Sequence, residues 1–182
     1  MKKLIIAMAI ACSAIFAQAA AIDWSANAVC DPVATAAAGK NTPASGWLGY
    51  VILSTDLTAV RNDLDAGKTD VLLSKYVGAS KTTSAQGKFV TGTASGSVAA
   101  GTYDFYLVIL NSGNAATATG YVISSKVTET VDASLDTTIA FGSMANATKD
   151  ASSWSTMSVP EPTSGLLLLL GMAGLALRRR RA

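Results

Sequence analysis

The stretch from Tyr103 to Leu110, Tyr-Asp-Phe-Tyr-Leu-Val-Ile-Leu, constrains the fold of this chain more than any other. It is rich in aromatic and branched side chains, it follows Ala100-Gly101, and it stops at Asn111-Ser112-Gly113-Asn114. An apolar run bounded by turn residues on both sides specifies a strand. Trp47 to Leu53 is a continuous apolar run and suits a strand buried on both faces. Ile22, Trp24, Ala26 and Ala28 share one parity, and Tyr121, Ile123, Val127 and Val131 alternate with Ser124, Lys126, Thr128 and Thr130. Phe89–Thr93 and Ser95–Ala99 read as a polar, Gly-rich hairpin, and Leu135–Phe141 closes the set. One stretch departs from this pattern. Asp56 is placed to cap a helix carrying Leu57, Val60 and Leu64 and ending at Gly67, and Asp70 a second one through Leu72, Leu73 and Tyr76. Short strands punctuated by turns about every 8 to 12 residues predict a mainly β fold, an antiparallel β-sandwich with one or two short inserted helices.

The two ends are set apart from this region. Met1-Lys2-Lys3 precedes an apolar run from Leu4 to Ala17, which leads into Ala17-Gln18-Ala19. Basic, apolar and small-residue segments in that order form a secretory signal, here predicted as a signal helix over 1–19 cut by signal peptidase after Ala19. At the other end, Val159-Pro160-Glu161-Pro162-Thr163-Ser164 precedes an apolar segment over 165–177 and the cluster Arg178, Arg179, Arg180 and Arg181. A hydrophobic helix of that length spans roughly 20 Å, short of the ~30 Å hydrocarbon core. Leu166, Leu170 and Leu177 are expected to anchor it in the inner membrane, with the arginines on the cytoplasmic side. Both ends demand the same orientation, with everything between them exported.

These divisions predict a domain over 20–144, a Ser/Thr-rich linker over 145–159 and a tail over 160–182. Trp154 is the linker residue placed to fold back on the domain. The chain has 182 residues with 14 basic and 12 acidic side chains. Six of the basic ones and one acidic one, Glu161, lie in the two ends, which leaves eight against 11 in a mildly acidic centre. Such a surface has nothing basic to hold nucleic acid.

The tail resembles the PEP-CTERM sorting domain, the substrate signal of exosortases. The resemblance rests on Pro160-Glu161-Pro162, the apolar segment and the arginine cluster, in that order and at the chain end. It implies that Pro160, Glu161 and Pro162 are recognised by an integral-membrane, transpeptidase-like cysteine enzyme that cuts near the motif. It further implies passage to the cell surface or matrix, often in bacteria that make extracellular polysaccharide. Prolines on both sides of Glu161 favour an extended segment poor in internal hydrogen bonds, which suits an enzyme groove.

The absence of histidine excludes Ser-His-Asp and Cys-His catalysis and any His-bearing metal site. Of the two cysteines only Cys30 lies beyond the signal, so it is either buried or bridged to another chain. Asp63-Leu64-Asp65-Ala66-Gly67 resembles the start of a calcium loop but lacks the third oxygen ligand and the distal Glu, and reads better as a polar helix end. Trp24, Trp47 and Trp154, with Tyr50, Tyr103 and Tyr106, either pack a core or line a sugar-binding platform. The expected function is a non-catalytic, exported surface or matrix protein without metal or cofactor. The alternatives are a carbohydrate-binding module and a glycosidase that works with paired carboxylates.

Overall fold

Strand formation starts where the sequence places it. The structure, a computed structural model, describes residues 20–158; the signal segment and the tail lie outside the described residues. Strand β1 (Ala20–Asn27) carries Ile22, Trp24 and Ala26 on one face, all fully buried. The alternation ends there, because Ala28 takes a left-handed backbone with φ 54°. Strand β2 (Leu48–Leu53) leads through a short 3₁₀ turn into helices α2 (Leu57–Asp65) and α3 (Asp70–Lys75), after an earlier helix α1 (Pro32–Ala38). Then follow β3 (Tyr76–Thr82), β4 (Ser95–Val98), β5 (Gly101–Leu110), β6 (Gly120–Ile123), β7 (Val127–Val131), β8 (Thr137–Ser143), helix α4 (Ala145–Thr148) and β9 (Ser155–Thr156).

The strands form two sheets. One has the order β4-β1-β8; the other runs β3-β2-β5-β6-β9, with β7 also paired to β5. The fold is thus mainly β, with short helices. Ile22, Trp24, Ile139 and Phe141 of the small sheet share a core with Val51, Phe105, Leu107, Ile109, Val122 and Val131 of the large one. The opposite face of the large sheet is also buried. There Tyr50, Ile52, Val108 and Leu110 meet Val60 and Leu64 of α2 and Leu72 of α3. Two buried faces explain why β2 and β5 read as continuous apolar runs rather than alternations.

Four details differ from the sequence expectations. The sheets are not wholly antiparallel: β1 and β8 run parallel, with Trp24 opposite Ile139. The chain reaches β8 from the other sheet, not through a hairpin, so no turn dictates antiparallel pairing. The hairpin expected over residues 89–99 does not form. Phe89 bridges Ala26 and β4 pairs with β1 through Ser95 and Val98, so both segments line the same edge of β1. The 121–131 alternation is two strands, because β5 residues 105 to 108 face residues 123 to 127 across one extra residue. That bulge reverses the parity: Tyr121 and Ile123 face the helices, while Val127 and Val131 face the inter-sheet core. Finally, Tyr76 begins β3 instead of extending α3.

Close approach also fixes one glycine. A Cβ on Gly49 would lie 2.6 Å from Phe89 Cζ and 2.8 Å from Trp24 Cη2. Gly49→Ala is therefore expected to destabilise the domain by about 1–3 kcal/mol through overpacking. The readout is a lower urea midpoint at unchanged slope; an unchanged midpoint would show that the two rings move aside freely.

Candidate functional site

The segment from Met144 to Ser158 is folded, contrary to the expected linker. Met144 is buried and its N–H donates to the Asn27 carbonyl at 2.7 Å. Helix α4 then places Thr148 in the interior, fully buried. Its hydroxyl accepts from the Cys30 N–H at 2.9 Å and donates to the Met144 carbonyl at 2.9 Å. Asp150 caps the next 3₁₀ turn by accepting from the Ser152 N–H at 2.9 Å, and the hydrogen bonds from Ser152 hold its carboxyl below the usual range. Trp154 donates its ring N–H to the Thr148 carbonyl at 2.9 Å and meets Trp47 edge-on, with centroids 5.2 Å apart.

The last residues are tied to the large sheet. In β9, Ser155 and Thr156 pair with Tyr121 and Gly120. Met157 is buried and donates its N–H to the Thr119 carbonyl at 2.9 Å, and the Ser158 N–H reaches the Asp65 carbonyl at 3.2 Å. Polar composition conceals this, because Thr148 alone of the Ser and Thr residues here answers buried backbone groups, while the others are exposed. The available signals were Trp154 and Met157, two large apolar residues too costly to leave in water.

Asp65, at the end of α2, is the anchor of this region. It accepts the Tyr121 hydroxyl at 2.6 Å. Burial, followed by the Asp65 carboxylate, pushes the Tyr121 phenol up to about 12. The stretch Asp63 to Gly67 is a helix end, as expected: the Gly67 N–H returns to the Leu64 carbonyl and the Lys68 N–H to that of Asp63. Among the described residues, no group of three or more Cys, Asp or Glu is placed to hold a metal ion.

The six aromatics do not make a platform. Trp24 and Tyr50 are buried, and Trp47 packs edge-on against Trp154. Tyr103 packs on the inter-sheet core, whereas Tyr106 packs on the helix side. A groove of about 430 Å³ does run beside Trp47 and Trp154, lined also by Asp31, Asn111 and Thr119. Its amide is already engaged: Asn111 Oδ1 accepts from the Thr119 and Gly120 N–H groups, and Nδ2 donates to the Thr119 hydroxyl. Cys30 is buried, and burial raises its thiol above the usual range.

The expected cleavage residues Ala17 and Ala19, the sorting residues Pro160, Glu161 and Pro162, and the anchor residues from Leu166 to Arg181 all lie outside the described residues. The described chain ends at Ser158, hydrogen-bonded to α2. Residues 158–181 match the PEP-CTERM protein-sorting motif. The PEP-CTERM match thus begins on the last of the described residues. It implies recognition by exosortase, export, and membrane-associated sorting towards the cell surface. No curated protein and no solved structure matches the chain. Among the described residues, no helix is long and apolar enough to cross a membrane.

Proposed function

We propose that this protein is a non-catalytic surface or matrix component, exported after loss of its signal at Ala19 and handed to exosortase by its tail. The observation that carries the reading is the sorting motif over 158–181. The body over 20–144 is one β-sandwich, closed by the 145–158 segment, and the apolar stretch 165–177 holds it transiently at the inner membrane. Extracellular polysaccharide is the expected surrounding.

Two features of the body support an inert role. A carboxyl that serves as general acid needs a raised pKa. Among the described residues, the carboxyls that depart from the ordinary range, at Asp23, Asp104, Asp132 and Asp150, are all lowered. At Asp104 the Thr128 hydroxyl and then the Lys126 ammonium do this. The second feature is the lack of histidine, which leaves Ser and Thr hydroxyls without their usual base.

Deleting the host exosortase should leave a longer, membrane-bound form, and replacing Pro160 and Glu161 by alanine should do the same. Size and fractionation on immunoblots are the readout, and unchanged size and location in both cases would defeat the proposal. The groove beside Trp47 and Trp154 favours one second reading, a carbohydrate-binding module. A glycan array separates the two, since saturable binding lost in Trp154→Ala would favour the module.

A further inference from the structure

Resting on the second reading above, we propose that the groove beside Trp47 and Trp154 is a site for an uncharged glycan and turns acidic glycans away. Its volume of about 430 Å³ falls within the ~300–1,000 Å³ of small-ligand sites. Segments far apart in the chain build it. Asp31 to Val33 come from the start of α1, Trp154 to Thr156 from the end of the described chain, and Trp47 and Thr119 from between them.

The lining offers apolar surface together with hydrogen-bonding groups that the fold does not use. Val33 is 76% exposed, the most exposed large apolar residue among the described ones. It stands in the same groove as the two indoles, which are themselves only partly buried. The C–H face of a pyranose packs on such a surface, while its hydroxyls look for partners at the rim. Those partners are present. Trp24 and Trp154 donate their ring N–H groups to backbone carbonyls. The ring N–H of Trp47 meets no acceptor among the described residues, and it is not buried. Asp31 accepts from the Val33 and Ala34 N–H groups through Oδ1 alone, and its Oδ2 accepts nothing among the described residues. The Thr119 hydroxyl accepts from Asn111 Nδ2 and keeps its own proton to donate. An indole N–H, a carboxylate oxygen and a hydroxyl thus face ligand hydroxyls, each of which can donate or accept.

Charge selects among glycans. Asp31 is the one charged side chain in the lining, which holds no Lys or Arg. Lys149 and Asp150, just before Ala151 of the lining, are adjacent and opposite in sign. A uronate, sulfate or phosphate group would bring a second anion towards Asp31 with no cation in the lining to balance it. A neutral sugar instead donates hydroxyl protons to the free oxygen in charge-assisted hydrogen bonds. The charge can be removed without removing the cap of α1, because an asparagine oxygen at the same position also accepts from the first turn.

Isothermal titration of the full chain, in a detergent without sugar headgroups, tests this. The probes are glucan, mannan and galactan hexasaccharides, polygalacturonate and alginate oligomers, and the neutral and acidic fractions of the native host's polysaccharide. Saturable binding of a neutral probe is expected, with the acidic probes bound far more weakly. Asp31→Asn should weaken the neutral probe about tenfold or more and narrow the gap to the acidic ones. Val33→Ser, at an exposed position, should weaken the neutral probe several-fold. Unchanged urea midpoints check that both variants are folded. Acidic oligomers bound as tightly as neutral ones would overturn the inference and leave the carbohydrate-binding reading standing. Neutral binding untouched by both substitutions would place the site elsewhere and overturn the inference as well. No binding by any probe would defeat the carbohydrate-binding reading itself, and the inference with it.

Discussion

Replacing Trp24 by alanine is expected to cost the domain about 3–5 kcal/mol, a large part of the ~5–15 kcal/mol that such a domain has. Trp24 is fully buried in the middle of β1. Its ring lies 5.0 Å from that of Phe89 and 6.5 Å, edge-on, from that of Phe141. Its N–H donates to the Ala79 carbonyl of β3 at 2.8 Å, and so ties the small sheet to the edge of the large one. Alanine would remove the packing, leave a cavity and orphan that carbonyl. Trp24→Phe separates the contributions: it keeps most of the apolar volume, loses the hydrogen bond, and should cost about 1–3 kcal/mol. Urea unfolding of the mature protein measures both. A loss below about 1 kcal/mol for the alanine variant would mean that the two sheets do not depend on this ring.

How far the fold can be read from the sequence is shown by where local signals and tertiary ones agree. β1, β2 and β5 are legible because apolar content and flanking turns point the same way. The bulge between β6 and β7 is not, because it is decided by Ser124. Its N–H donates to the Leu107 carbonyl at 2.9 Å and its hydroxyl accepts from the Leu107 N–H at 2.9 Å. A serine that replaces a strand partner looks like any other polar residue in an alternation. Helix α1 carries its own end signals. Asp31 accepts from the N–H groups of Val33 and Ala34, Pro32 opens the first turn, and Gly39 closes the helix with φ 65°. Cap, proline and glycine stand in the expected order, but an Ala-rich stretch without an apolar stripe gives no periodicity. Asp56 stands at the N-cap of α2 as expected, but its side chain makes no cap hydrogen bond and pairs with Lys75 at 3.1 Å.

The candidate site divides along the same line. The sorting residues are read from order and position along the chain, which need no tertiary information. The packing of 145–158 on the domain is visible by that route only at Trp154, because its other partners, Cys30, Asp65 and Thr119, are distant in sequence. Composition marks 145–158 as a linker because most of its polar side chains do face water. Thr148, Trp154 and Met157 hold the segment to the domain nonetheless.

Lys81→Met is expected to destabilise the domain by about 3–5 kcal/mol near pH 7, although the substitution is more apolar than the original. Asp23 is 6% exposed and Lys81 nearly as well covered. The ammonium lies 2.5 Å from Asp23 Oδ1, donates to the carbonyls of Trp24 and Val90, and sits 5.0 Å from the centre of the Trp24 ring. Asp23 also accepts from the Trp24 N–H at 2.8 Å and the Gly92 N–H at 2.9 Å. Burial alone would raise the Asp23 carboxyl, but Lys81 and the two backbone donors outweigh it and hold the carboxyl below its ordinary value. With the folded pKa depressed, the carboxylate adds stability above the unfolded value of about 3.9, and that contribution is lost as pH falls through the folded pKa. Removing the ammonium leaves burial opposed only by the N–H donors. The carboxyl should then titrate higher, and acid should relieve the penalty. The stability gap between wild type and Lys81→Met should accordingly narrow between pH 7 and about pH 4. Asp23→Asn combined with Lys81→Met should cost less than the two single changes added together, because neither charge is then left alone. Additive losses, or a gap that stays constant down to pH 4, would show that the two groups stabilise the fold independently. Either result would also remove the electrostatic reason for the interruption between Phe89 and β4, where Gly92 and Val90 turn aside to meet this pair.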